Sequence, residues 1–503
     1  MKNLLDITKI LTQKKIGKIE ILDEQTLRQK DSLFGKFYKG LCAEKIETDE
    51  EAAQLLYGTP DIGDTYRKLK SRFRRRLLNT LFFVDMNVPL ASNYDQALLT
   101  CSKEWTIVEI LMAYEAKQAA ATITKRTLGI ALKFHLTDLI VKCARLLCEY
   151  AVYEEKEKDF RYYNAYIIQY VPIQELELKA ETFGNEAILL YQQPDCGKKC
   201  IQKIETISHS LVGLLEKVYA PPIVHYYMYL AWTLYYEVSQ DYDGMLDVCQ
   251  NGEIFVKEKA SFLESRKRPV FFIKRLAVYL HQRQYNNGKT HAEEILQHLQ
   301  IDSIGWFDFM KYYLLLSLHT DNFINALAIF SRVAASTHFH KLDAHRQQEW
   351  GLFEVVLHYF MEVQGTSRLL LPKQRRKVFS VSDFMSSPID LHASFANIVV
   401  QRITLQILFL LQKRSHQSIS ERMEQLRNLT KYELQKKGYE RPYAFVNLLL
   451  QLQKADLNPK KLNNPEKNLQ KLKLYPFIYQ GKLMQLEALP YEKLWELVCA
   501  HLA

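Results

Sequence analysis

Residues 303–335 constrain the fold most strongly, because they predict two consecutive helices joined by a tight turn. The segment WFDFMKYYLLLSLH predicts a helix that is apolar almost all round, which is typical of a helix covered on both sides. HTDN predicts the turn, and FINALAIFSRVAA predicts the second helix. Apolar and small residues recur there at the spacing of one helical face: Phe323, Ala326, Leu327, Phe330, Val333 and Ala334. The pattern indicates an antiparallel helical hairpin that needs further hairpins stacked on it.

Two upstream segments repeat this design. In residues 270–299, a predicted helix is followed by a predicted turn at residues 286–288 and by a second apolar stripe. Residues 221–249 show the same order of helix, turn and helix. An aromatic residue lies next to each predicted turn, with steps of 43 and 38 residues, at Tyr242, Tyr285 and Phe323. A helix–turn–helix period of this length is typical of an α-solenoid.

These hairpins resemble a degenerate tetratricopeptide-type array, and the resemblance covers about a quarter of the chain. We therefore predict an all-α fold, a right-handed, solenoid-like stack of antiparallel helical hairpins with a helical C-terminal part. Such a stack has one long concave face, and its selectivity depends on exposed side chains rather than on a motif. The alternative is an irregular helical domain without true repeats.

The composition agrees with a helical, intracellular protein. Of the 503 residues 48% are hydrophobic, whereas 17 glycines and 14 prolines are few for a turn-rich sheet protein. The eight cysteines are scattered, and several lie in apolar helical runs, which predicts reduced, buried thiols. No stretch of 18 residues stays apolar, and Asp6 and Lys9 interrupt the N-terminal segment where a secretory signal would be apolar. We therefore expect a cytoplasmic location and no membrane insertion.

Breaks in the helical pattern predict four regions. They are an N-terminal lead-in with short helices (1–60), a helical-hairpin solenoid (61–364), a linker or loop (365–388) and a C-terminal helical region (389–503). In the lead-in, Thr48 and Glu51 have the spacing of a capping box that opens a helix. In the solenoid, we expect one helix to end before Pro172, because proline usually interrupts a helix.

Residues 65–76 have the most unusual composition, with seven basic residues among twelve and no acidic residue. On a helix, one face of this segment and its continuation is formed by Tyr66, Leu69, Phe73, Leu77, Thr80 and Val84. The candidate contacts with a partner or an anion are Arg67, Lys68, Arg72, Arg74, Arg75 and Arg76. These cations are solvated or paired with the protein's own carboxylates, or they contact phosphates, an acidic protein surface or a membrane surface.

No motif predicts catalysis. The sequence contains no GxxxxGK[S/T], GxGxxG, GxSxG or HExxH pattern. Cys196 and Cys200 form a lone CxxxC pair, whereas a structural zinc site needs four ligands. We interpret His338, His340 and His345 as solvated side chains rather than as metal ligands. We therefore expect a protein that is not an enzyme, with no cofactor, no catalytic residues and no metal site.

The sequence favours a non-catalytic scaffold or adaptor that binds a protein or peptide partner on a helical-repeat surface. The alternative is a nucleic-acid-associated accessory subunit that uses basic patches at 67–76, 373–377 and 454–473. The net charge of +10 is moderate for this length, so it permits an anionic partner without requiring one. A helical enzyme with an unrecognised site is a third class.

Overall fold

The computed structural model describes residues 4–5, 8, 32–43, 46, 48–82, 92–193, 197–216, 220–363, 379–387, 396–413, 416–462 and 465–502. Among these residues 81% are helical and none lies in a strand, which confirms the predicted all-α fold. Many helices pack on the helix that follows them in the chain, as in a solenoid-like arrangement. The right-handed sense of the stack and the presence of true repeats stay predictions.

The chain divides into two compact units, Met1–Tyr170 and Val171–Ala503. The predicted regions 1–60, 61–364, 365–388 and 389–503 stay predictions. In the second unit, the helix Ala344–Val363 packs directly on the helix Ala396–Gln412. The C-terminal helices therefore belong to the same compact unit as the predicted hairpins.

The N-terminal unit consists of helices in the part that the structure describes. They are α1 (Leu33–Cys42), α2 (Asp49–Tyr57), α3 (Asp64–Leu81), α4 (Asn93–Ala113), α5 (Lys117–Phe134), α6 (Thr137–Tyr153) and the first part of α7 (Glu157–Gln192). Helix α1 packs on α2, and α5 packs on both α4 and α6. The capping box is confirmed, since the Thr48 hydroxyl accepts a bond from the Glu51 N–H and the Glu51 carboxylate accepts one from the Thr48 N–H.

Helix α7 shows that the predicted end before Pro172 is wrong, because the helix continues through Pro172 to Gln192. Proline lacks the N–H that would bond to the carbonyl four residues earlier, but its fixed φ matches that of a helix. A single proline therefore weakens a helix without ending it when the flanking residues are buried, as Tyr170 and Leu176 are. The division between the two units falls next to this weakened point.

The C-terminal unit contains the three predicted hairpins, α9–α10, α11–α12 and α13–α14. Its helices are α8 (Lys198–Leu215), α9 (Pro222–Ser239), α10 (Tyr242–Glu258), α11 (Pro269–His281), α12 (Tyr285–Ile295), α13 (Ile304–His319), α14 (Phe323–Ala334), α15 (Ala344–Val363), α16 (Val381–Ser386), α17 (Ala396–Gln412), α18 (His416–Tyr432), α19 (Glu440–Lys454), α20 (Pro465–Leu474) and α21 (Tyr491–Leu502). The aromatic residues Tyr242, Tyr285 and Phe323 each begin the second helix of a hairpin.

The hairpin α13–α14 has the predicted form. The Ser303 hydroxyl accepts a bond from the Trp306 N–H and caps α13, which is buried on nearly all sides. The chain turns at Asp321, whose φ is +59°. The predicted face of α14 is confirmed, with Ala326, Leu327, Phe330 and Val333 buried. Periodicity therefore identified the packed side of this helix correctly.

The predicted turn at residues 286–288 is wrong, because these residues form the first turn of α12. The chain turns slightly earlier, where Arg283 has a φ of +54°. Gly288 has a packing role instead of a turn role: a Cβ atom there would lie 2.2 Å from the Cδ2 atom of Leu316 on α13. Only glycine permits this close approach of two helices without a clash.

Candidate functional site

Helix α3 carries the predicted basic residues, and its opposite side is packed in the N-terminal unit. Four residues of the predicted packing face are buried and one is half-buried: Tyr66, Phe73, Leu77 and Thr80, with Leu69 the half-buried one. The Phe73 ring lies 4.6 Å from the Phe37 ring of α1. Val84, which we predicted on the same face, lies outside the described residues. These contacts fix which side of α3 faces away from the core.

One of the seven basic residues, Lys70, forms a firm internal ion pair. The Lys70 ammonium and the Tyr66 hydroxyl both donate to the Asp49 carboxylate, each at 2.6 Å. Burial alone would raise the pKa of Asp49, but these two donors hold it below its usual value. Burial and the bond to Asp49 raise the pKa of Tyr66. Lys70 thus belongs to the packing of α3 and not to its exposed side.

Five of the six predicted contact residues are exposed together on the other side of α3. We call them the cationic face: Arg67, Lys68, Arg72, Arg74 and Arg75. Arg67 approaches Asp64 at 3.7 Å, but both side chains are largely exposed, so water screens this pair. The other four have no carboxylate within ion-pairing distance in the described part of the chain. The sixth residue, Arg76, is half-buried, with its guanidinium 4.7 Å from the centre of the Phe34 ring.

Exposed apolar side chains continue the cationic face towards the end of α3. Leu78 follows Arg74 and Arg75 by one turn and is 41% exposed, and Phe82 follows Leu78 by another turn and is 55% exposed. Residues three or four positions apart lie on the same side of a helix. One side of α3 therefore presents cations followed by apolar groups along about 22 Å of helix axis.

The other two predicted basic patches belong to a different part of the chain from α3. Residues 373–377 lie outside the described residues. Residues 454–473 belong to the C-terminal unit, where Lys461, Lys471 and Lys473 are exposed. The geometry described for α3 is therefore a property of the N-terminal unit alone.

A second group of polar contacts lies in the C-terminal unit and was not predicted from the sequence. Residues 475–490, which we call the strap, connect α20 to α21 and form neither helix nor strand except for one short 3-10 turn at Leu483–Gln485. Side chains of four helices bond to its main chain. The donors and accepting carbonyls are Tyr191 to Gln480 (3.2 Å), His281 to Tyr479 (3.3 Å), His319 to Glu487 (2.7 Å), and both Asn397 and Gln401 to Leu486 (2.5 Å each).

The helices that face the strap contain buried polar side chains that need a partner. Asn397 and Gln401 lie one turn apart on α17, in an otherwise largely apolar sequence, and both are buried. The Gln401 amide also accepts a bond from the Ala488 N–H at 2.7 Å. An extended chain cannot satisfy its own N–H and C=O groups, and unpaired amides are costly to bury. The strap and these helices therefore satisfy each other's hydrogen-bonding groups.

Lys482 fixes the middle of the strap to the end of α7. Its ammonium donates to the carbonyls of Tyr191 and Gln193, at 3.2 and 3.4 Å. Helix C-termini favour cations because their last carbonyls lack intrahelical partners. Lys274 donates to the Tyr191 hydroxyl at 2.8 Å and pairs with the buried Glu237. The strap therefore lies against a network of charged and hydroxyl groups.

Arg441 of α19 joins both ends of the strap. Its guanidinium bonds to the Glu487 and Glu492 carboxylates, at 2.5 and 2.6 Å, and to the Tyr475 carbonyl at 2.9 Å. Burial raises the pKa of Glu487 to about 7, although the charge of Arg441 opposes this rise. Arg441 is therefore the main group that favours the ionised form of this buried carboxylate, against the effect of burial.

His319 is expected to make stability depend on pH. Burial lowers its pKa from 6.5 to about 3, so the folded protein keeps it neutral when the unfolded chain is already protonated. The stabilisation by neutral His319 is thus complete above about pH 6.5 and declines as the pH falls towards 3. Between pH 6.5 and 5 this amounts to about 2 kcal/mol. Urea melts at pH 7.5 and pH 5 measure this effect. From the higher to the lower pH, we expect the free energy of unfolding of the parent protein to fall by about 2 kcal/mol more than that of His319→Gln. The same pH dependence in both proteins would contradict this prediction.

The other side-chain clusters weighed in the sequence do not form a metal site in the described ranges, where no group of three or more suitable ligands comes together. His338 bonds instead to the Asp302 carboxylate at 3.1 Å.

Cys200 is disulfide-bonded, so the prediction of reduced cysteines is wrong at this position. Cys101, Cys143 and Cys249 are free and buried, as predicted.

None of the described helices combines the length and the apolar character that a membrane span requires. The chain matches no protein-family model, no curated protein and no solved structure. The resemblance to tetratricopeptide arrays therefore stays a prediction, and α3 and the strap are the features from which function is inferred.

Proposed function

We propose that the protein is a non-catalytic helical scaffold that binds an acidic segment of a protein partner through the cationic face of α3. The observation that carries this proposal is the distribution of ion pairs. Lys70 pairs firmly with Asp49, whereas Lys68, Arg72, Arg74 and Arg75 pair with no carboxylate among the described residues. Cations held so close together repel one another unless anions lie nearby. A partner's carboxylates would relieve this repulsion.

The side chains beside the cationic face favour a protein over a nucleic acid. Exposed Leu78 and Phe82 continue the same side of α3. Arginine and aromatic residues are enriched in the centres of protein interfaces, and arginine forms bidentate bonds with carboxylates. A phosphate backbone offers no apolar surface to Leu78. An amphipathic segment with acidic residues followed by apolar residues fits this surface better.

The role as a scaffold is supported by the packing of α3 and of the helices that follow it in the N-terminal unit. The buried side of α3 holds the helix in one orientation, so the cations do not have to be ordered when a partner binds. Helices α4, α5 and α6 extend the same unit by packing on their neighbours in the chain. A cytoplasmic location belongs to the same proposal; the buried thiols Cys101, Cys143 and Cys249 support it, whereas the disulfide-bonded Cys200 does not.

The proposal is tested by the double variant Arg74→Glu with Arg75→Glu. We expect its thermal melt to match that of the parent protein, because neither guanidinium pairs with a carboxylate in the described part of the chain. We expect a pull-down from native cell extract to lose its bound partner, and nuclease treatment to leave the parent's capture unchanged. The matched control is Lys142→Glu with Arg145→Glu, which makes the same charge change on exposed residues of α6 and is expected to retain the partner.

The other outcomes identify the alternatives. Capture that disappears with nuclease and falls steeply with salt would show a nucleic-acid partner instead, because binding to phosphates releases counterions. A lower melting temperature of the double variant would show that the arginines are paired internally. An unchanged melt with an unchanged set of bound proteins would leave a solvated face and would contradict the proposal.

A further inference from the structure

The two halves of the strap are held differently. Residues 486–490 are buried, and their main chain bonds to Asn397, Gln401 and His319. Residues 475–485 are mostly half-buried or exposed, and Tyr479 is the buried residue among them. Segments with less buried surface open at a lower free energy than the core around them. The first half of the strap is therefore expected to open more easily than the second half.

Two cavities lie beside the first half of the strap, in the groove under it. One, of about 580 Å³, lies along α11, α13 and α15, and it is lined by Lys274, Lys311 and Tyr312 of these helices and by Gly481 of the strap. The other, of about 310 Å³, is lined by Glu237, Asn397 and Arg441. Gln480 of the strap lines both cavities, so the strap does not fill the space around this residue.

The contact of the strap with this groove is incomplete. The Tyr479 ring is buried 5.1 Å from the Tyr312 ring, but its hydroxyl has no hydrogen-bond partner among the described residues. The Oε1 atom of Glu237 is likewise buried without a partner there. Buried polar atoms without partners destabilise a structure. This half of the strap is therefore not an optimal occupant of its groove.

Recognition in the groove depends on three features of the bound chain. His281 and Tyr191 donate to consecutive carbonyls, at Tyr479 and Gln480, and so read the main chain rather than a particular sequence. An aromatic ring is buried at the Tyr479 position. Three residues later, the Lys482 ammonium binds the last carbonyls of α7. A non-helical peptide with an aromatic residue followed three positions later by a basic residue supplies all three.

We propose that this groove is a binding site for a non-helical peptide of a partner protein, which carries an aromatic residue and a basic residue three positions after it, and that residues 475–485 cover the site from within the same chain. The two chains compete for the same donors, so the partner binds only the fraction of molecules in which the strap has opened. This site lies in the C-terminal unit and does not depend on the cationic face of α3.

The test is a change that opens the strap without altering the groove. Gly481 has a φ of +86°, and a Cβ atom there would lie 3.3 Å from the Tyr312 hydroxyl. Valine is strongly disfavoured at positive φ, so Gly481→Val weakens the closed strap. The probe is a labelled synthetic peptide with the sequence YPFIYQGKLMQ, identical to residues 475–485. Fluorescence anisotropy is expected to show that the variant binds this probe at least tenfold more tightly than the parent protein.

The matched control is Gly58→Val. Gly58 also has a positive φ, of +75°, but it lies in the N-terminal unit with open space around the position of a Cβ atom. We expect this variant to bind the probe as weakly as the parent protein does. A probe with alanine in place of its second tyrosine, or glutamate in place of its lysine, is expected to lose most of its affinity for Gly481→Val. Adding Tyr191→Phe to Gly481→Val removes one main-chain donor and is expected to weaken binding several-fold.

Three results would overturn the proposal. One is a Gly481→Val protein that melts cooperatively but binds the probe no better than the parent. Another is dimer formation by this variant without probe binding, detected by light scattering, which would identify the strap of a second copy as the occupant. If the valine variant does not fold, Gly481→Ala replaces it with an expected gain of about threefold. Failure of both variants to fold is the third result, because a strap that opens must tolerate a weakened closed state.

Discussion

Replacing Arg441 by methionine is expected to lower the free energy of unfolding by about 3–5 kcal/mol at pH 8, because it leaves a buried carboxylate without its cation. Arg441 bonds to the Glu487 and Glu492 carboxylates and to the Leu472 and Tyr475 carbonyls. Glu487 is buried, so water cannot replace the lost guanidinium. Methionine keeps much of the aliphatic length of arginine, so the loss reports the polar contacts rather than a cavity.

The deficit of Arg441→Met is expected to be smaller at about pH 5.5 than at about pH 8. Burial already raises the pKa of Glu487 to about 7 in the parent protein, and the loss of the neighbouring cation raises it further. The folded variant keeps this carboxyl protonated, whereas the unfolded chain ionises above about pH 4.5. The stabilisation that this raised pKa gives the folded variant is therefore fully present below about pH 4.5 and is lost as the pH rises. Urea melts at both pH values measure the difference.

Two further variants separate charge from shape at this position. Arg441→Lys keeps the charge but has fewer donors, so we expect an intermediate loss of stability. Arg441→Met combined with Glu487→Gln removes the buried charge as well as its partner, and we expect it to be more stable than Arg441→Met alone at pH 8. A loss below about 1 kcal/mol for Arg441→Met at pH 8 would show that Glu487 does not depend on this cation.

The helices and their buried sides could be predicted from the sequence because they depend on short-range periodicity. The stripe of α14 and the packing face of α3 both repeat every three or four residues, and the structure buries both. The starts of the second hairpin helices at Tyr242, Tyr285 and Phe323 are signalled in the same local way. An element whose determinants lie within one or two turns can be recognised without knowing its neighbours.

The errors at Pro172 and at residues 286–288 arise because contacts between distant parts of the chain, rather than local sequence, decide the structure there. Proline and glycine are strong local signals for breaks, and here tertiary contacts override them. Gly288 permits the approach of Leu316, which is 28 residues away in the chain. Helix α7 continues through Pro172 although one hydrogen bond is missing. Sequence alone does not distinguish a glycine that permits close packing of helices from a glycine that forms a turn.

The two candidate sites also differ in how far apart in the chain their residues lie. The cationic face of α3 was predictable because five exposed cations lie within nine residues. The partner of Lys70 was not predictable, because Asp49 lies 21 residues earlier. The strap was missed because it is recognised through its main chain, by side chains as distant in the chain as Tyr191 is from Gln480, 289 residues. One signal was present: the buried amides Asn397 and Gln401, one turn apart in an apolar helix.

Phe330→Ala is expected to lower the free energy of unfolding by about 3–5 kcal/mol through the loss of burial and the cavity that remains. Phe330 is 1% exposed on α14, and its ring lies 6.2 Å from the ring of Trp350, which is also buried. Ile324→Ala is the matched control on the same helix, because Ile324 is 82% exposed and its truncation is expected to change stability by less than about 0.5 kcal/mol. Urea melts of both variants measure the contrast, and equal effects of the two substitutions would show that the packed side of α14 has been assigned incorrectly.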